Sequence, residues 1–68
     1  MYLSAVYRND DQVYSCLGET ENKVRIETKK ILRRGDIMYL YKCYDELMPD
    51  GTTAWYPDEL VDHVEVTD

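Results

Sequence analysis

The sequence predicts an all-β fold, a small barrel of five or six short antiparallel strands, and three observations lead there. Short runs alternate apolar and polar residues with a period of two. Gly18, Gly35 and Gly51 fall between those runs as turn signals, two of them in the contexts Arg34-Gly35-Asp36 and Pro49-Asp50-Gly51. Ile37–Tyr44 carries Ile, Tyr, Leu, Tyr, Cys and Tyr, apolar or amphipathic on both faces, and so reads as a central strand. At 68 residues the chain has room for one domain, residues 1–68. A chain of that size hides only roughly 60% of its unfolded surface, so it depends on tight packing, a cross-link or a partner.

Each element follows from its own residues. Leu3, Ala5 and Tyr7 alternate with Tyr2, Ser4, Val6 and Arg8, and the run stops at Asn9-Asp10-Asp11. Residues 12–17 repeat the pattern, so residues 2–17 form a hairpin turning at Asn9-Asp10. Gly18 to Asn22 is the next turn. Residues 23–29 read as a strand, because β-branched Val24, Ile26 and Thr28 alternate with Arg25 and Glu27. The alternative is a short helix through residues 27–34, since Val24, Thr28, Ile31 and Leu32 also fall near helical spacing. After the central strand, 45–51 is a loop and 52–56 a strand, which Pro57 ends because it has no amide to donate. Asp58, Glu59 and Leu60 are expected to make a tight turn before a last strand, 61–66.

Composition narrows the chemistry. Net charge is −6 and its distribution is lopsided: 23–34 holds six basic residues against Glu27 alone, whereas 45–68 holds eight carboxylates and no base. Cys16 and Cys43 lie 27 positions apart without a CxxC spacing, and His63 is the single histidine, so no zinc set is available and no metal or cofactor is expected. Two reduced cysteines are the expectation, with a disulfide open if the fold puts them on facing strands. The opening Met1–Arg8 lacks the basic start and apolar stretch of a signal peptide, and no run approaches the ~20 apolar residues of a membrane span, so the expected location is the cytoplasm. Catalysis has little to stand on. His63 has no serine or second cysteine beside it, and Cys43 beside Lys42 is expected to be buried and inert on its central strand.

Three segments in order resemble the SH3 family. Ile31-Leu32-Arg33-Arg34-Gly35-Asp36-Ile37-Met38-Tyr39-Leu40 resembles its diverging turn and following strand. Trp55-Tyr56-Pro57-Asp58-Glu59-Leu60-Val61 resembles its end, with a short 3₁₀ turn, and Ala5-Val6-Tyr7 resembles its opening Ala-Leu-Tyr. The resemblance implies an SH3-like small barrel, one architecture carrying several binding functions. It is partial and does not make a complete eukaryotic-type SH3 domain. Asn9 and Leu60 stand where the family has aromatic residues, which removes most of the support for proline-rich peptide binding.

The expected function is therefore binding without catalysis. The candidate protein-binding face comprises Tyr7, Tyr44, Asp45, Trp55, Tyr56, Pro57, Asp58 and Glu59, aromatics and carboxylates at strand ends and beside the proline. Tyr39, Tyr41 and Trp55 read as mainly structural, and the carboxylates also serve solubility. Small size and acidity suit an accessory or inhibitory protein of the kind carried by phages and mobile elements. Nucleic-acid binding through Lys23, Arg25, Lys29, Lys30, Arg33 and Arg34 is the less favoured alternative, because the acidic segment opposes a polyanion. A homo-oligomeric structural module is the third.

Overall fold

The Asn9-Asp10 turn sets the first hairpin. Both residues have positive φ, 53° and 67°, the geometry of the two-residue turn whose twist matches paired strands. It joins β1 (Tyr2–Arg8) to β2 (Asp11–Gly18), as the alternation predicts, with one irregularity between Val6 and Tyr7. The computed structural model describes residues 1–67. The remaining elements are α1 (Glu21–Lys29), β3 (Ile37–Leu47) and β4 (Thr53–Glu65), and the strands form one antiparallel sheet in the order β2-β1-β3-β4.

Two features depart from the expected pattern and leave an open four-stranded sheet in place of five or six strands in a closed barrel. Residues 23–29 are helical. Thr20 caps the helix by accepting a hydrogen bond from the Lys23 amide at 3.1 Å, Glu21 pairs with Arg25 one turn on, and Val24 and Thr28 bury one stripe against the sheet. These nonlocal and capping contacts override the β-propensity of Val24, Ile26 and Thr28. The helix also begins earlier than the alternative span of residues 27–34 and ends at Lys29.

The second departure lies in the C-terminal part of the chain. Thr53–Glu65 is one long strand, and Asp58, Glu59 and Leu60 lie inside it instead of forming a 3₁₀ turn. Pro57 does not end the ladder because β4 is an edge strand. The Cys43 amide turns away from β4 to the Met1 carbonyl oxygen at 2.9 Å. Pro57, directly opposite Cys43, therefore occupies a position whose backbone polar groups face outward, where a missing N–H costs no ladder bond. The register shifts twice along β4, passing over Val61 and Asp58. With β2 and β4 at opposite edges, the sheet is open among the described residues.

One face of the sheet carries the core. Val6, Met38 and Leu40 meet Val24 of α1, and Tyr2, Tyr14, Cys16, Ile31, Leu32 and Val64 close around them. Gly18 lets the helix come this near: a Cβ there would lie 2.7 Å from Val24 Cγ2. Ser4 and Thr28, both fully buried, satisfy each other through a 2.6 Å hydroxyl–hydroxyl bond. The turn before β3 is locked by Asp36, whose carboxylate accepts two bonds from Arg8 and one from the Arg33 amide. Gly35 and Val66 then tie that turn to the end of β4.

Candidate functional site

The β1–β3 register runs from Tyr2↔Lys42 to Tyr7↔Ile37 and the Cys43 amide still bonds the Met1 carbonyl oxygen, so from Tyr44 onward β3 has β4 as its sole partner. Residues 44–47 and 53–56 thus leave the body as a two-stranded ribbon about 13 Å long, and the molecule's extents are 44 × 23 × 18 Å. The ribbon has almost no core of its own. Leu47 is 74% exposed, and Tyr44, Trp55 and Tyr56 are exposed as well. What holds it is local: the Tyr44 and Tyr56 rings pack at 5.6 Å across the strands, and the Asp50 carboxylate accepts the Thr52 amide at 3.0 Å and hydroxyl at 2.7 Å in the loop. A lone two-stranded hairpin is marginal in water.

Directly opposed residues of an antiparallel pair share a face, so the register sorts the candidates. Tyr44 and Tyr56 share one face with Lys42 and Glu59, the side that carries α1 further along the sheet. Asp45 and Trp55 share the other face, as do Cys43 and Pro57. Asp58 lies between register positions at a bulge. The eight candidates for protein binding are thus not one patch. Seven of them gather on or at the base of the ribbon, on both of its sides, whereas Tyr7 lies at the far end of the sheet beside the first turn.

The sheet face away from α1 has no cover among the described elements. Across it run the rows Leu17–Leu3–Tyr41–Leu60, Ser15–Ala5–Tyr39–His63 and Gln12–Tyr7–Ile37–Glu65. Tyr39 stands at the centre: its ring stacks on His63 at 4.9 Å with planes 4° apart, meets Tyr7 edge-on at 5.7 Å, and lies 6.4 Å from Tyr41. Tyr39 and Tyr41 are half-buried in this open face, so the aromatic surface extends beyond the residues chosen from the sequence. The two-residue spacing of Ile37, Tyr39 and Tyr41 carries that signal.

The six basic candidates are dispersed. Arg25 is held by Glu21 and Asp62, both at 2.9 Å, and Lys30 by Glu27 at 3.1 Å. Lys23 and Lys29 are exposed on the helix, and Arg33 and Arg34 are exposed on the connection to β3. The Arg25 guanidinium, with help from the His63 amide, holds the Asp62 carboxyl below its ordinary range, and Thr52 does the same for Asp50.

Both cysteines are free. Cys16 lies on β2 and Cys43 on β3 with β1 between them, and burial pushes the Cys43 thiol up. Among the described residues no three His, Cys, Asp or Glu side chains gather in a metal-holding group, and no helix is long and apolar enough to cross a membrane. Comparison with protein families, curated proteins and solved structures finds no match to this chain.

Proposed function

We propose that this chain is a non-catalytic protein-binding module that docks a basic partner surface through the β3–β4 ribbon and the open face of the sheet. The observation that carries the reading is the ribbon itself, which exposes Tyr44, Leu47, Trp55 and Tyr56 beyond the core. Apolar and aromatic side chains on a segment with so little burial of its own gain most from a partner's surface. Asp45, Glu46, Asp58 and Glu59 rim these rings, and from Cys43 onward the sequence contains no lysine or arginine. A partner complementary to that rim is basic, and the charges steer its approach. The nucleic-acid reading has less support, because Arg25 and Lys30 already serve carboxylates of the same chain.

The test is capture of partners from cell lysate on the immobilised protein at low and at moderate salt. The expected result is one protein retained by the wild type and by Lys30→Glu/Arg33→Glu, and lost from both Asp58→Lys/Glu59→Lys and Trp55→Ser. Nucleic acid retained by the wild type and released by Lys30→Glu/Arg33→Glu would replace this reading with the basic-segment one. A light-scattering mass of two or more copies at working concentration, lost on Trp55→Ser, would make the partner a second copy.

A further inference from the structure

At the end of the sheet opposite the ribbon, the open face holds a concavity of about 290 Å³ lined by Tyr7, Asp10, Ile37, Tyr39 and Tyr41. Its walls are set by the fold. The Tyr7 and Tyr39 rings stand at 84° to each other, and Tyr41 continues the Tyr39 wall with its plane 20° away. Asp10 is fixed at the rim by the positive-φ turn, and Glu65 is registered against Ile37 on the same face. No base lines the concavity, and the nearby Arg8 is turned to Asp36.

His63 stacks on one face of Tyr39 and Tyr7 meets that ring edge-on, and the ring surface these contacts leave along the concavity, with a carboxylate at the rim, favours one ligand chemistry, an organic cation. The ring faces present negative quadrupole potential and the carboxylate supplies a full charge. Between the two common protein cations the geometry favours the flat one. A guanidinium lies against a tyrosine ring, pairs with a carboxylate through two parallel N–H bonds, and sheds water more readily than an ammonium group.

We propose that the Tyr7–Tyr39–Tyr41–Asp10 concavity seats the guanidinium group of an arginine side chain presented by a partner protein. This rests on the reading of the open face as a contact surface and adds the residue type that the contact selects. It names a site separate from the ribbon.

The experiment is an NMR titration of the full chain with acetyl-Gly-Arg-Gly-amide, with the lysine peptide, free L-arginine and tetramethylammonium as comparisons. The arginine peptide is expected to move the ring signals of Tyr7, Tyr39 and Tyr41 and to saturate. Asp10→Asn, which keeps a residue suited to the positive-φ turn, weakens that binding by about threefold or more, and Tyr7→Leu does likewise. Asp58→Lys/Glu59→Lys leaves it unchanged, so loss of partner capture with intact peptide binding separates the ribbon from this site. Absent or scattered shifts, or indifference to Asp10→Asn, overturn the proposal. Equal binding of the lysine peptide or tetramethylammonium overturns the guanidinium assignment, and tighter binding of free arginine overturns the protein-borne source.

Discussion

Arg8 grips Asp36 with two parallel hydrogen bonds, Nε to Oδ1 at 2.8 Å and Nη2 to Oδ2 at 2.7 Å, and so ties the first strand to the turn that opens the third. With the Arg33 amide adding a third bond, the Arg8 guanidinium holds the Asp36 carboxyl well below its ordinary 3.8, at about 2. A carboxylate whose folded value is depressed contributes stability that is present above its unfolded value and lost as pH falls through the folded one. Stability therefore declines as pH drops from about 4 towards 2, with Asp62 and Asp50 acting in the same direction.

Asp36→Asn is expected to lower the melting temperature more than Glu27→Gln, which removes only an exposed helix pair. The gap between wild type and Asp36→Asn should narrow as melts are repeated from about pH 6 down to about pH 2, because protonation removes the same charge. A gap of constant size across that range would mean that the ion pair is not its source.

Ser4 and Thr28 satisfy each other in a fully buried contact. Thr28→Val leaves the Ser4 hydroxyl without its partner and is expected to cost about 1–3 kcal/mol. Adding Ser4→Ala removes the stranded group, so the double variant should be no less stable than Thr28→Val alone. Urea unfolding of the four proteins in the cycle gives the coupling; additive losses would show that the hydroxyls act independently.

Gly18→Ala forces a methyl group against Val24 Cγ2 and is expected to destabilise by about 1–3 kcal/mol. In that background, Val24→Ala should cost less than it does in the wild type, because it relieves the collision while opening the same cavity. Equal costs in both backgrounds, read from urea midpoints, would place the strain elsewhere.

Pro57→Ala is expected to change stability by less than about 1 kcal/mol, since the proline sits on the outer strand with its backbone facing outward. The new amide completes a longer run of donors on the β4 edge, so self-association should rise with concentration in light scattering. A loss of more than about 2 kcal/mol would mean that the ring itself holds the bulged segment together.

Much of the frame was legible in residues acting locally. Asn9-Asp10, the period-two runs either side of it and the amphipathic Ile37–Tyr44 run specify the first hairpin and the interior strand, because positive-φ turns and alternation are properties of neighbours in the chain. For the candidate site, the aromatic and acidic character of 44–59 was readable, but its division between two faces was not. Single-residue shifts at Asp58 and Val61 set which side each ring takes.

The sequence by itself determined the all-β-leaning pattern, the turns at Asn9-Asp10, Gly35 and Gly51, and the split between basic and acidic halves. Only the tertiary structure decided that Glu21–Lys29 is a helix, that Thr53–Glu65 is one strand, and that Tyr7, Asp10, Tyr39 and Tyr41 meet. The physical reason is shared. Residues 23–29 have both periodicities, and the close approach of Val24 to Gly18 with the Ser4–Thr28 bond selects the helix. Pro57 is tolerated only because β4 is outermost, and the concavity exists only because β1 and β3 pair in one register. Each is settled by partners distant in the chain, where local propensity is too weak to choose.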